Sequence, residues 1–349
     1  TMLDQARLAF NARQGQVIAL VGEAGTGKTR LIEAALQQMV IQSGSSKGLA
    51  AFFLYSVEAQ SYDQNNAYAL VRELLVQFFN LNLVQAPGQV FDLVARRVRE
   101  LTPELLRFAP LLGDLLGLPF AETPLIAALT PQQRHARTAE LFEELLLAEA
   151  RTHPFALIAD DLHWADASSR ELLARLAGNV AGAPLLLLLG YRLDPSITEP
   201  WREQPNCMRI ELRELPPESC TRLMHELLRG EPPPELATLV DKTQGNPFFI
   251  EELVRSMVET GALAQQGATW QLTRPLDDAS VPDSIEGVIT ARLDRLDDRN
   301  RDVVQTAAVI GRRFPYPVLS GVMSDTQSLQ AQLHILAQTD LIAAEELDQ

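Results

Sequence analysis

Apolar positions along this chain follow two periods, and the two alternate. Val17 to Val21 is a brief apolar run of strand type that stops at Gly22. From Arg30 to Val40 the spacing turns helical, with Leu31, Ala34, Ala35 and Met39 on one side. Ala51 to Val57 reads as a second strand, and Phe155 to Asp160 as a third that runs directly into acids. Pro184 to Gly190 is apolar throughout, which predicts a fourth strand buried on both faces. Cys207 to Leu212 alternates and predicts a fifth. Helices are expected between them: a lead-in over Leu3 to Asn11, a mostly helical stretch from about Asn66 to Ala150, and another helix from about Ala167 to Gly178. Val71, Leu74, Leu75, Phe78 and Phe79 form one helical stripe, and Leu141, Leu145 and Ala148 another. Thr130 followed by Pro131 has the form of an N-cap and first helical residue. The Leu- and Pro-rich piece from Leu101 to Leu129 predicts short packed helices, not a linker. Strands interleaved with helices predict an α/β fold with a parallel sheet.

After Pro216 the pattern changes. Pro217 to Arg229, Pro234 to Gln244 and Pro247 to Thr260 read as helices, and Gly245 and Gly261 as glycines that end two of them. Leu263 to Leu272 predicts a hairpin turning at Gln266 and Gly267. Helices are expected again over Asp283 to Leu296, Arg299 to Ile310 and Ser328 to Thr339. With 349 residues the chain exceeds what one core usually serves, and 46% hydrophobic residues supply several.

Composition narrows the function. No run of apolar residues is long enough to span a bilayer, and no basic start precedes an apolar stretch, so neither a membrane span nor a signal peptide is expected. The first residue, Thr1, suggests a piece of a longer protein. Cys207 and Cys220 have no CxxC spacing and no clustered His, which excludes a disulfide framework or zinc site and fits a reducing cytoplasm. A net charge of −15 argues against direct nucleic-acid binding unless a basic stripe is present. Arg96, Arg97 and Arg99 read as a solvated helix surface. Only three lysines occur, Lys28, Lys47 and Lys242, and the first lies inside a glycine-rich loop.

That loop, Gly22-Glu23-Ala24-Gly25-Thr26-Gly27-Lys28-Thr29, matches G-x-x-x-x-G-K-[ST] in full, between a strand and a helix. The chemistry requires those types. Glycines let successive N–H groups turn inward toward phosphate oxygens, and the helix starting near Lys28 adds the positive end of its dipole. Lys28 is placed to reach the β- and γ-phosphates and Thr29 to ligate Mg²⁺. Arg30, the next residue, completes the expected nucleotide-binding set.

Asp160 and Asp161 end the FALIAD strand, at the sheet edge where open α/β sheets bind ligands. Asp160 is the candidate Mg²⁺ partner, and Asp161 the candidate to orient or deprotonate attacking water. Arg192 follows the fourth strand and would emerge at the same edge, either as a γ-phosphate sensor or as an ordinary surface arginine. His163 reads as a structural donor, Trp164 as a packing residue and Asp166 as an N-cap. Gly245-Asn246-Pro247 reads as helix stop, N-cap and first helical residue.

GEAGTGKTRL, ALIADDLHWAD, LLLLLGYR, GNPFFIEELVRSMVETGAL and VPDSIEGVITARLDRLDDRNRDVVQTAAVIGRRF together resemble the ATPase module of the STAND proteins. These are signal-transduction ATPases with numerous domains, a branch of the AAA+-like P-loop NTPases, and the similarity spans almost the whole chain. DDLHWAD and GNPFFIEEL are the specific part; the glycine loop is common to P-loop NTPases. The resemblance implies a P-loop nucleotide-binding domain over 1–214, a helical lid over 215–262 and a winged-helix domain over 263–349. It implies ATP or ADP with Mg²⁺ as ligands, Pro247 against the adenine, and Arg192 as the sensor arginine. It also implies a switch closed with ADP and open with ATP, slow hydrolysis, ATP-dependent self-association, and effector or sensor domains outside these residues. The family's Gly-Arg-Glu motif precedes the first helix and is absent here, so reduced nucleotide affinity is expected.

Rival readings are an ATPase of the origin-recognition type acting on DNA, a small-molecule kinase, and a non-hydrolysing scaffold locked with ADP. Acids at Asp294, Asp297, Asp298 and Asp302 among the arginines of 292–313 weigh against the first. The absence of an Asn-Lys-x-Asp stretch favours adenine over guanine.

Overall fold

The computed structural model describes residues 1–43, 48–82, 85–194, 199–266, 269–273, 284–311, 314–323, 328–339 and 341–344. It divides into two compact units, Thr1–Arg213 and Glu214–Gln349.

The first unit runs α1 (Met2–Phe10), β1 (Gln16–Gly22), α2 (Lys28–Ser43), β2 (Phe53–Glu58), α3 (Ala69–Phe79) and α4 (Pro87–Leu101). A 3₁₀ stretch over Pro103–Leu111 leads to the short helices α5 (Leu112–Leu116) and α6 (Pro124–Ala127). Then come α7 (Pro131–Thr152), β3 (Phe155–Asp160), α8 (Ala167–Asn179), β4 (Leu185–Tyr191) and β5 (Cys207–Leu212). The strands form one parallel sheet in the order β2-β3-β4-β1-β5.

The reason this sheet forms is legible in its side chains. Every residue of β1, β3 and β4 is buried. Successive side chains point to opposite faces. Val17, Ala19, Leu157, Ala159, Leu187 and Leu189 join a core shared with α3, α4, α7 and α8. Ile18, Leu20, Ala156, Ile158, Leu186 and Leu188 join a second core with α1 and α2. Helices on both faces are what a parallel sheet needs, because its strands expose apolar rows twice. The strand at one edge, β2, is protected differently. The Gln77 side chain of α3 donates to the Ser56 carbonyl at 2.8 Å and accepts from the Ser56 N–H at 3.3 Å, occupying groups that could pair with a foreign strand.

Thr130 caps α7 as its sequence suggests, with Gln133 closing a reciprocal pair of hydrogen bonds. The expectation of a purely solvated Arg96–Arg99 surface needs correction at Arg97. Its guanidinium pairs with Glu149, a buried carboxylate of α7 that the sequence pattern placed no partner for. A buried carboxylate without a cation is costly, so this pair fastens α4 to α7.

In the second unit, α9 (Pro217–Leu228), α10 (Thr238–Thr243) and α11 (Pro247–Glu259) precede a hairpin of β6 (Leu263–Gln266) and β7 (Thr269–Leu272). Leu263, Trp270 and Leu272 pack with Cys220, Met224, Leu253 and Met257 of α9 and α11. The helices α12 (Ile285–Asp294), α13 (Asp298–Ile310), α14 (Tyr316–Val322) and α15 (Leu329–Gln338) follow. The region is mainly helical, in line with expectation.

Three details differ from the sequence reading. The helix expected over Pro234 to Gln244 is a 3₁₀ turn over Pro234–Ala237 followed by α10, and Pro233 before it is held extended (φ −62°, ψ 142°) by the proline that follows. Gln244 also takes the left-handed conformation, with φ 50°, ahead of Gly245 at φ 71°. The helix α14 went unread because Pro315, Pro317 and Gly321 break its apolar pattern. Both prolines lie at its start, where missing N–H groups cost nothing. Gly267 and Asp283 lie outside the described residues.

Gly15 supplies a test of the first unit. A Cβ there would lie 1.9 Å from the Val180 carbonyl oxygen and 2.6 Å from that of Ala183, both rigid backbone at the entry to β4. Gly15→Ala should cost about 1–3 kcal/mol, read as a lowered midpoint in urea or thermal unfolding. An unchanged midpoint would mean that the 180–183 turn does not pack on Gly15.

Candidate nucleotide site

Parallel strands deliver their C-terminal ends to one edge, and β1, β3 and β4 are adjacent in register there. Val21 pairs with Tyr191 and Ala159 with Leu189. The loop after Gly22, the Asp160-Asp161 pair and Arg192 therefore leave the sheet side by side. The strand order also reverses at this place, where open α/β sheets have their binding crevice.

The glycine loop curls back on itself. Gly25 and Gly27 have φ of 76° and 89°, a conformation that L side chains resist. At Gly27 no atom lies within 4 Å of where a Cβ would sit, so the loop is hollow on that side. The Thr26 hydroxyl donates to the Glu23 carbonyl at 2.9 Å and holds the turn. The loop then passes into α2 at Lys28. The Lys28 ammonium folds back and donates to the carbonyls of Gly22 at 2.9 Å and Glu23 at 3.1 Å. The residue is only 7% exposed. Burial lowers its pKa, while the charges of Asp161 and then Asp160 oppose that shift.

Asp160 is tied on both oxygens. Oδ2 accepts from the Thr29 hydroxyl at 2.9 Å and Oδ1 from the Asp161 N–H at 2.8 Å. Gly190 makes room for it: a Cβ there would stand 2.0 Å from Asp160 Oδ1. Asp161 has the left-handed backbone (φ 53°, ψ 35°) and begins the 3₁₀ turn Leu162–Trp164. That reversal turns the chain away from the sheet immediately after Asp160.

His163 corrects the sequence reading. Expected as a structural donor, it makes no hydrogen bond through either ring nitrogen among the described residues, although it is buried. Its Nδ1 lies 3.9 Å from Asp161 Oδ1. Burial pulls its pKa down, Asp161 opposes this, and Arg192 and Lys28 reinforce it. A neutral imidazole with one donor and one acceptor therefore stands in the site with neither used. Arg192, just past β4, also has a buried Nε without a partner among the described residues. Trp164 packs against the larger core, in keeping with a packing residue, and Asp166 caps α8. Arg30 lies exposed on α2. Pro247 belongs to the second unit, at the first position of α11, where the Asn246 side chain caps Phe248 and Phe249.

A hollow glycine loop, a buried ammonium and unpartnered nitrogens at the same sheet edge suit a phosphate chain. The one carboxylate–hydroxyl pair suits a hard cation completed by phosphate oxygens and water. Among the described residues no cluster of three or more His, Cys, Asp or Glu could hold a metal on its own.

The family model for the AAA ATPase domain matches residues 1–188, more than half of the chain. The chain belongs to the AAA ATPase domain family. Membership in the family implies nucleotide binding. An uncharacterized protein of Rhizobium meliloti (strain 1021) is 30% identical to this AAA ATPase domain over 188 residues, or 52% of the chain, and the match spans only 17% of that protein. Three solved structures are similar at low identity. A STAND protein with a tetratricopeptide repeat sensor from Pyrococcus horikoshii matches at 13% identity with a TM-score of 0.49, over 96% of this chain and 38% of its own. The Orc1 protein of Aeropyrum pernix, solved in complex with DNA, matches at 13% and 0.41 over 97% and 81%. A Walker-type ATPase of Pyrococcus abyssi matches at 14% and 0.39 over 99% and 91%. No helix among the described residues is long and apolar enough to cross a membrane.

Sequence reasoning passed over Gly190. An isolated glycine inside an otherwise apolar strand signals a close approach, and LLLLLGY carries that signal. Gly190→Ala should displace the Asp160 carboxylate and break its bonds to Thr29 and Asp161. The expected result is at least about a tenfold loss in affinity for Mg²⁺-nucleotide, measured by calorimetry with and without Mg²⁺. Wild-type affinity would show that the carboxylate has no need of its present position.

Proposed function

We propose that this AAA ATPase domain is the switch module of a signal-transduction ATPase, binding ATP with Mg²⁺ and hydrolysing it slowly. In this reading the ADP form is closed and the ATP form open, and the change is passed to effector or sensor domains attached to these residues, with self-association in the ATP state. Residues 1–214 form the nucleotide-binding domain, 215–262 the helical lid and 263–349 a winged helix. The observation that carries the catalytic part is Asp160 bonded to Thr29, with Asp161 turned out of the sheet beside it and near the buried His163, whose ring nitrogens make no hydrogen bond among the described residues. A scaffold that only binds nucleotide has no use for the second acid and the imidazole. The DDLHWAD and GNPFFIEEL segments support the signalling part through their resemblance to the STAND branch.

The residue roles follow from position. Lys28 and the amides of Gly22 to Thr29 hold the phosphate chain, with Arg30 beside them. Thr29 and Asp160 hold Mg²⁺, which neutralises phosphate charge when bound. Asp161 orients water and accepts its proton, and His163 fixes that water through a ring nitrogen. Arg192 meets the γ-phosphate charge, and Pro247 of the lid lies against the adenine.

A DNA-acting role gains nothing from the second unit. Arg292 pairs with Glu252 and Glu259. Arg301 donates to the carbonyls of Leu293, Asp294 and Leu296. Arg295 donates to Ser256. These three arginines are committed within the unit and are not free to line a phosphate backbone.

Calorimetry and single-turnover kinetics test the proposal together. Lys28→Ala should weaken ADP and ATP binding about 10- to 100-fold or more, since charge-assisted hydrogen bonds contribute ~1.5–3 kcal/mol each. Asp161→Asn should leave ADP affinity close to wild type and slow single-turnover hydrolysis about 100-fold or more, with His163→Ala acting in the same direction. Equal rates for wild type and Asp161→Asn would remove Asp161 from its role. No heat with either nucleotide would end the proposal.

A further inference from the structure

The turn that carries Asp161 and His163 must be held in place by something, and the hydrogen bonds of one carboxylate single out the holder. Asp166 is 3% exposed and begins α8. Its Oδ1 accepts from the Ser169 N–H at 2.9 Å, an ordinary N-cap bond. The same oxygen accepts from the Tyr68 N–H, also at 2.9 Å, at the start of α3. Tyr68 is a non-glycine residue with φ 62° and ψ 20°, a backbone state that costs about 1 kcal/mol or more unless its surroundings enforce it. The Asp166 bond holds the Tyr68 backbone, and a hydrogen bond to Ser168 holds its side chain. Two further bonds run the same way. Gln64 Nε2 donates to the His163 carbonyl at 3.3 Å, and the Val71 N–H to the Ser169 hydroxyl at 3.4 Å.

We propose that Asp166 is a positioning residue for hydrolysis: by capping α8 and the left-handed Tyr68 with one oxygen, it clamps the Asp161–His163 turn to the start of α3. The inference rests on the ATPase reading of the site. Asp166 lies away from the phosphate loop's own hydrogen bonds, so its part is to hold the turn and not to bind nucleotide. Its second oxygen, Oδ2, is buried and has no hydrogen-bond partner among the described residues. The clamp therefore works through Oδ1, and whether its geometry or its charge holds the turn is what Asp166→Asn decides.

That distinction makes the test specific. Asp166→Ser keeps an N-cap acceptor for Ser169 on a shorter side chain that does not reach Tyr68. Asp166→Asn keeps an acceptor oxygen in place for both N–H groups. The full chain is assayed for ADP affinity by calorimetry, for ATP hydrolysis under single-turnover and steady-state conditions, and for amide exchange at residues 61–69. Asp166→Ser should hold ADP affinity within about twofold while kcat falls about tenfold or more, because small misplacements of catalytic groups are costly. Exchange at 61–69 should accelerate alongside. Asp166→Asn should return kcat to within about threefold of wild type. Asp166→Asn being as slow as Asp166→Ser would overturn acceptor geometry as the basis of the clamp, and wild-type kcat in Asp166→Ser would overturn the clamp itself. A loss of ADP affinity in Asp166→Ser matching the loss of kcat would also overturn it, by making the residue a general support of the domain. A wild-type chain that binds nucleotide without turnover would instead overturn the ATPase reading on which the clamp rests.

Discussion

A carboxylate buried at the edge of an apolar sheet is stable only if donors surround it, and Asp160 is where this first unit meets that condition. One oxygen takes the Thr29 hydroxyl and the other the Asp161 N–H. Each bond has a structural consequence. The first joins the start of α2 to the end of β3, across a chain separation of 131 residues. The second requires the backbone to reverse immediately, which it does through the left-handed Asp161. Gly190 on the neighbouring strand is small because the carboxylate occupies the space a side chain would take. Phosphate loop, acid pair and the end of β4 are thus set by one side chain, and that side chain is in reach of the edge because β1, β3 and β4 are parallel.

The two units solve the problem of burying charge in different ways. In the first, ionisable groups are kept close to the sheet edge, and those within the helical layer, Glu143 and Glu149, are each matched by an arginine of another helix. In the second, Arg292 is nearly fully buried between Glu252 and Glu259 of α11, and it also donates to the Thr339 carbonyl at the end of α15. Such a pair contributes little net stability compared with apolar packing, but breaking it on one side leaves an uncompensated charge. Its effect is geometric: α11, α12 and the end of α15 are held in one arrangement.

Much of this is legible in the residue pattern alone. Strands buried on both faces announce themselves as continuous apolar runs, and β3, β4 and β5 fall within a residue of where the pattern places them. The glycine loop is legible because its chemistry leaves no freedom in residue type. Illegible features have two causes: contacts between segments far apart in sequence, and prolines that mask the local pattern. Glu149 looks like any helical acid until Arg97 is seen beside it. His163 looks like a donor because the lack of a hydrogen bond to its ring nitrogens, among the described residues, is a property of the folded site. Helix α14 is hidden because periodicity fails where prolines occupy the first turn, and the 3₁₀ stretch at Pro234 is hidden for the related reason that three prolines imitate a helix start without sustaining one.

On the proposed role of Lys28, the resting bonds of its ammonium bear on how nucleotide affinity would be set. The ammonium is held by two main-chain carbonyls of its own loop, at 2.9 and 3.1 Å. In that reading a phosphate chain draws it from those acceptors, so the binding energy would be the difference between two sets of hydrogen bonds and not the sum of the new ones. Burial already weakens the ammonium's preference for charge, and the acids on the opposite strand restore part of it. Affinity is therefore set jointly by the loop's own carbonyls and by the Asp160–Asp161 pair. In the proposed reading, a motion that shifts the acid pair relative to the loop would change nucleotide affinity without touching a phosphate contact, which is what the proposed switch would need.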